Sequence, residues 1–298
     1  MRGGENRCAV SHKQIAGEVR FSYFISICYV LFGGVSAGCA VNGGRISSVH
    51  APLPLITRSQ ETPRQASNTQ SDRSIYANGI GRRFGIRWVL RGVSLEVGRG
   101  EAVGLLGSNG SGKSTVLRVL GTLLIPNAGS ASITGLDIVR DAERVRSHVG
   151  YLAHTPGLYD ELTARENLRF AADMLGLPYT AADDSLERVG LTQVAGDRVR
   201  GFSAGMQRRL ALARLIMRNP SVLLLDEPYS NLDADGVELM NSIIAGVVKS
   251  GGAALVALHE LAPARVLDRT VTLVDGRIEA APSKHPGPRQ SAPIPEMR

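Results

Sequence analysis

The sequence predicts an α/β protein, and three observations carry that prediction. Apolar runs of strand length alternate with stretches of helical spacing between residues 75 and 280. Several runs have the apolar centre of a buried strand: "EAVGLL" (Glu101–Leu106), "SVLLLDEP" (Ser221–Pro228), which ends in acids, and "AALVALH" (Ala253–His259). In "GLLGSNGSGKST" (Gly104–Thr115), glycines crowd the turn between one such run and a helical one.

The elements follow in the order strand–strand, glycine-rich turn, helix, helical insert, then strand–helix–strand. "VSLEV" (Val93–Val97) alternates as a half-buried strand does. "KSTVLRVLGTLL" predicts a helix over Lys113–Leu124, and further helices are expected over Ala164–Gly176 and Ala204–Met217. "VTLVDGRI" (Val271–Ile278) reads as a hairpin turning at Asp275 and Gly276. There is no internal repeat.

Three zones separate by composition. Residues 1–73 hold an apolar block, Phe21–Val41, followed by a Ser/Pro/Gln/Thr-rich linker expected to be disordered. Residues 74–280 form the folded domain, with a helical subdomain at about 153–215, and residues 281–298 form a disordered tail with five prolines. The apolar block is long enough to span a bilayer, which takes about 20 residues. It reads as an upstream extension foreign to the native protein, as an N-terminal membrane anchor, or as a signal-like segment.

Of the formal charge of +7, more than half sits in residues 1–73, where eight Lys/Arg face four acids. The charge therefore gives no ground for expecting a nucleic acid partner. All three cysteines (Cys8, Cys28, Cys39) lie in the same leader, so disulfides, Cys-ligated zinc and thiol nucleophiles are excluded from the folded domain.

The chemistry is carried elsewhere. Gly107, Gly112, Lys113 and Ser114 fit G-x-x-x-x-G-K-[ST], with Ser108, Asn109, Gly110, Ser111 and Thr115 completing the turn. Glycines let backbone N–H groups converge on phosphates, the following helix offers its positive end, and Lys113 reaches the outer phosphates. Ser114 supplies a hard oxygen for Mg²⁺. In "LLLDEP", Asp226 and Glu227 stand at the end of a strand, where side chains enter the crevice at the carboxyl edge of a sheet. Asp226 suits a hold on Mg²⁺ and its waters, and Glu227 suits a general base that polarises an attacking water. In "FSAGMQRRLALARL" (Phe202–Leu215), Ser203 and the backbone at Gly205 offer donors to an anion at a helix start. Because Lys113 and its loop serve the chain's own nucleotide, this second site is most useful to a partner subunit's phosphate.

The last segment resembles the Leu-Ser-Gly-Gly-Gln signature of ATP-binding-cassette (ABC) ATPases, departing from it at Phe202, Ala204 and Met206. The resemblance covers about residues 75–280. It implies a P-loop nucleotidase core with a helical signature subdomain and an antiparallel β subdomain. "NLD" (Asn231–Asp233) looks like the family's D-loop, with Asp233 linking two composite sites. His259 looks like the switch histidine that contacts the γ-phosphate. Phe84 in "RRFG" looks like the aromatic that stacks on adenine, with Trp88 as a weaker candidate. The family usually has Gln where His154 stands. Three readings stay open there: weaker coupling, action through a water, or a bystander.

The stretch "YLAHTPGLYDELTARENLRF" is similar to the ATP-binding subunits of haem exporters in cytochrome c maturation, the CcmA type. The resemblance implies a peripheral ATPase on the cytoplasmic face of the inner membrane, using ATP and Mg²⁺. Its partners are a second copy of itself and transmembrane permease subunits. Export of drugs, lipids or polysaccharides is the nearest alternative. A soluble ABC protein of another kind, or a nucleotide-responsive interaction module, is the alternative from another class.

Overall fold

The structure is a computed structural model that describes residues 72–261 and 264–279; the apolar block 21–41, most of the leader and linker, and the Pro-rich tail lie outside the described residues. Two sheets organise the chain. The first is antiparallel and ordered β2-β1-β4-β5, from β1 (Arg73–Phe84), β2 (Arg87–Gly98), β4 (Ala128–Ile133) and β5 (Leu136–Asp137). The second is ordered β10-β9-β3-β8-β7-β6, from β3 (Glu101–Leu106), β6 (Val149–Leu152), β7 (Val222–Asp226), β8 (Ala253–Leu258), β9 (Arg269–Val274) and β10 (Arg277–Glu279). Its strands β6, β7, β8, β3 and β9 run parallel, and only β10 turns back on its neighbour. This is the α/β core that the sequence pattern predicts, with the separate antiparallel sheet that the resemblance implies.

The continuous apolar character of β7 and β8 has a direct cause. Every residue of both strands is buried, because the sheet is covered on each face. Leu223 and Leu225 point to one face, where they pack with helices α3 (Ala164–Leu175), α4 (Tyr179–Arg188), α5 (Ala204–Met217) and α6 (Ala234–Lys249). Val222 and Leu224 point to the other, against α1 (Lys113–Leu120) and the apolar face of the antiparallel sheet. Truncating one such leucine to alanine costs about 2–5 kcal/mol. A short helix α2 (Ala142–His148) leads into β6.

The helix boundaries follow local chemistry. Thr163 and Glu166 form a reciprocal capping box at the start of α3, and Gly176 in the left-handed region ends it. α1 is shorter than its apolar spacing predicts. It stops at Leu120 because Gly121 caps it and Thr122 turns to a positive φ of 63°, so Leu123 and Leu124 lie beyond the helix. Among the described residues, no helix is long and apolar enough to cross a membrane.

The topology has one consequence for function. β3, β7 and β8 are parallel, so Gly107, Asp226 and His259, which end or follow them, emerge at the same edge of the sheet.

Candidate functional site

The turn after β3 is built for close approach of the backbone. A Cβ on Gly107 would lie 2.4 Å from the Leu273 carbonyl oxygen, and Gly112 caps α1 at a φ of 111° that side chains disfavour. Ser108, Asn109 and Gly110 are exposed at the mouth of the turn, while Ser111 and Lys113 are buried. The Ser111 hydroxyl is buried without a hydrogen-bond partner, and Thr115 sits in the first turn of α1. Lys113 Nζ donates to the carbonyls of Gly107 at 2.6 Å and Ser108 at 3.0 Å. An ammonium has three donors, so capacity remains for a ligand anion. Burial pulls the Lys113 ammonium below its ordinary range, against the opposing pull of Glu227 and Asp226.

Asp226 and Ser114 meet across this turn. Ser114 Oγ donates to Asp226 Oδ1 at 3.0 Å. Burial pushes the Asp226 carboxyl above its ordinary range; the Ser114 bond opposes this and the neighbouring Glu227 charge adds to it. A desolvated carboxylate beside a hydroxyl offers two hard oxygens. That donor set fits Mg²⁺, which keeps waters and takes substrate phosphate oxygens rather than requiring an all-protein cage.

Glu227 follows with a positive φ of 48°, its N–H donating to the Ala257 carbonyl at 3.0 Å. Its two carboxylate oxygens are held separately. His259 Nε2 lies 2.6 Å from Oε1, and His154 Nδ1 lies 3.2 Å from Oε2. An ionised carboxylate only accepts, so each imidazole donates an N–H to it.

The remaining expected residues stand elsewhere. Ser203 caps α5, its hydroxyl accepting from the Met206 N–H at 3.2 Å, and it is exposed. An added Cβ on Gly205 would lie 3.0 Å from the Asn231 carbonyl oxygen, so the α5 start packs on the segment before α6. Asp233 caps α6 and takes two bonds from Arg209 Nη2, at 2.7 and 2.9 Å. The Arg209 bond first, then the Gly236 N–H, hold its carboxyl below the ordinary range. Phe84 ends β1, half exposed, with the Arg82 guanidinium 5.0 Å from its ring centre; Trp88, opposite Arg83 on β2, is also exposed. The structure thus joins Lys113, Ser114, Asp226, Glu227, His154 and His259 around one sheet edge. Ser203, Gly205 and Asp233 form a second group at the starts of α5 and α6.

The ABC transporter family profile matches residues 90–230. The chain is 38% identical over 215 residues to the daunorubicin resistance ATP-binding protein DrrA3 of Streptomyces coeruleorubidus, covering 70% of this chain and 68% of that one. It is 36% identical over 202 residues to the cytochrome c biogenesis ATP-binding export protein CcmA 2 of Cupriavidus metallidurans, covering 66% and 96%. This chain belongs to the ATP-binding subunits of ABC transporters.

Among solved structures, this ABC subunit matches a dimeric ATP-binding cassette in a post-hydrolysis state bound to ADP and Pi. The TM-score is 0.60 at 26% identity, over 69% of this chain and 97% of the other. The ABC ATPase fold is therefore established, and with it ATP binding and hydrolysis. Relatives of comparable identity carry different names, one for daunorubicin resistance and one for cytochrome c biogenesis.

One residue at the site escaped the sequence reading. Arg208 of α5 is fully buried, and its guanidinium donates to the main-chain carbonyls of Ala153, His154, Asp226, Glu227 and Pro228. Its signal was a basic residue on the core face of the helix, three, four and seven residues before the buried Ala211, Leu212 and Leu215.

Proposed function

We propose that two copies of this ABC subunit enclose two ATP molecules head to tail and so power a membrane exporter, with haem for cytochrome c maturation as the cargo. The observation that carries the hydrolytic half is the Glu227 carboxylate, gripped by two imidazoles one residue beyond the buried Asp226. In this reading Glu227 accepts the proton of the attacking water. His259 contacts the γ-phosphate, and His154 orients the Glu227 carboxylate through Nδ1–H.

The backbone of Gly107–Thr115 cradles the phosphates and Lys113 pairs with the outer ones. Ser114 and Asp226 hold Mg²⁺, which when bound neutralises charge developing on the phosphates. Phe84 offers its ring to adenine. Ser203 and the Gly205 N–H close over the nucleotide of the partner copy, with Asp233 between the two sites. Exposure of Ser203 at the start of α5 supports that assignment, as does the dimeric state of the matched cassette.

The segment 153–215 passes the movement to transmembrane permease subunits, from a peripheral position on the cytoplasmic face of the inner membrane. Similarity to CcmA 2 and the segment around His154 support haem as cargo. Similarity to DrrA3 supports a second reading, export of a drug-like molecule. Purification with the membrane subunits and identification of the molecule they move into vesicles tests the choice. Haem is expected; transport of daunorubicin with no haem moved would replace the first reading by the second.

A further inference from the structure

We propose that Arg208 is a positioning residue for hydrolysis: it fixes the backbone that carries Glu227 and the backbone that carries His154 to the helix that begins at Ser203. The proposal rests on the reading of Glu227 as the base and deepens it.

The geometry is specific. Arg208 Nε donates to Pro228 O at 3.3 Å. Nη1 donates to Ala153 O at 2.7 Å and His154 O at 3.3 Å. Nη2 donates to Asp226 O at 3.1 Å and Glu227 O at 2.6 Å. A guanidinium has five N–H donors in a rigid fork, and five carbonyls receive them here. No carboxylate lies within ion-pair distance of Arg208 among the described residues. Burial accordingly pulls its pKa down to about 10, against the raising effect of Asp226 and Glu227.

A buried cation without a direct counterion is costly, and an apolar side chain would fill the same space more stably. What an apolar side chain lacks is a grip on two segments remote in sequence, 153–154 and 226–228. One of them is under strain. Glu227 adopts a φ of 48°, a conformation non-glycine residues avoid, and it is held there by its N–H on Ala257 and its carbonyl on Arg208. The same fork reaches both sides of the His154 peptide. A displacement of α5 therefore reaches the backbone of Glu227 and that of His154, whose ring meets the Glu227 carboxylate. Arg214, a half-buried arginine of α5, donates to the carbonyls of Pro156 and Gly157, outside the Glu227 turn. It serves as an internal comparison.

The test is a kinetic cycle on the full chain with radiolabelled ATP, read alongside binding of a fluorescent ATP analogue and thermal melting. Glu227→Gln is measured first; hydrolysis at the wild-type rate in that variant overturns the base reading, and this proposal with it. Given a slow Glu227→Gln enzyme, Arg208→Lys is expected to lower kcat about tenfold with KM and analogue binding within about twofold. In the Glu227→Gln background the same change is expected to cost less than about twofold, because the carboxylate it positions is gone. Arg214→Lys is expected to lower the melting temperature, with effects that multiply with those of Glu227→Gln. Wild-type kcat in Arg208→Lys, or a loss that multiplies fully with Glu227→Gln, overturns the proposal. If Arg208→Lys does not fold, Arg208→Gln is read by the same criteria. Failure of both to fold also overturns it, since the arginine then serves the fold alone.

Discussion

Ser114 Oγ and Asp226 Oδ1 meet at 3.0 Å although 112 residues separate them in sequence. The parallel arrangement of β3, β8 and β7 brings the helix start after one strand and the acid ending another to one edge. The carboxylate is desolvated there and its proton affinity is raised, so burial works against its charged form. Asp226→Asn removes that charge while keeping an acceptor for Ser114. We expect its melting temperature without Mg²⁺ to rise by a few degrees, because an unpaired buried charge is costly. Stabilisation by Mg²⁺ and ATP, which scales with ligand affinity, should shrink, and turnover should fall by at least about a hundredfold. Calorimetry with and without Mg²⁺ reads both. A variant that melts earlier in the absence of Mg²⁺ would contradict the argument.

His154 stands where a glutamine is usual in the ABC family, and its Nδ1 lies 3.2 Å from a Glu227 carboxylate oxygen. Removing one hydrogen bond to a charged group costs about 1.5 kcal/mol, equivalent to about tenfold in rate. We expect His154→Ala to lower kcat by about that factor with KM little changed, and His154→Gln to recover most of it, since an amide N–H also donates. His259→Ala should cost more, because its contact is the shorter one and its proposed role extends to the γ-phosphate. Equal activity of wild type and His154→Ala would make the residue a bystander.

The helical insert depends on the cap of α3. Thr163 accepts from the Glu166 N–H, and the Glu166 carboxylate accepts from the Thr163 N–H and hydroxyl. Those bonds, the backbone one first, hold the Glu166 carboxyl below its ordinary value of 4.5. Thr163→Ala should cost about 1 kcal/mol, lowering the melting temperature by about 2–4 °C. The sign of the pH effect follows from the lowered proton affinity. The contribution of Glu166 is complete above its unfolded pKa and is lost as pH falls through its lower folded value. The difference in stability between wild type and Glu166→Gln should therefore be constant near neutrality and close as acid is added, as urea titrations at a series of pH values would read.

The strands and the phosphate turn were legible because each carries its reason in local sequence. The interiors of β3, β7 and β8 are apolar because both faces are covered, and Gly107 and Gly112 are glycines because the backbone there admits little else. Asp226 and Glu227 were placed by their position at the end of an apolar strand downstream of the glycine-rich turn, and His259 by the family resemblance. Arg208 was not legible. Helical spacing shows which residues share a face, but it cannot show that a basic side chain turns inward to five carbonyls contributed by segments 18 to 55 residues away. The end of α1 was missed for a related reason: Leu123 and Leu124 continue the apolar spacing, but Gly121 and the left-handed Thr122 end the helix before them.

The exposed start of α5 yields a prediction about concentration. Ser203 satisfies the Met206 N–H within its own chain and otherwise faces outward, while Lys113 and Glu227 belong to the sheet edge. If the Ser203 group closes over a partner's nucleotide, a lone protomer binds ATP but turns it over slowly. Specific activity should then rise with protein concentration until the dimer is saturated. Ser203→Arg places a bulky side chain where a partner's phosphate would lie, yet leaves the Lys113 loop untouched. We expect it to keep ATP-analogue affinity within about twofold and to lose the concentration-dependent activity, a loss of about a hundredfold comparable to removing a transition-state donor. Mixing Ser203→Arg with Lys113→Ala makes the test sharper. In a head-to-tail pair, one of the two composite sites combines an intact Lys113 loop from one chain with an intact Ser203 from the other, so part of the activity returns. Rescue by mixing two inactive variants distinguishes a shared pocket from a self-contained one, because two self-contained sites, each broken, stay inactive at every ratio.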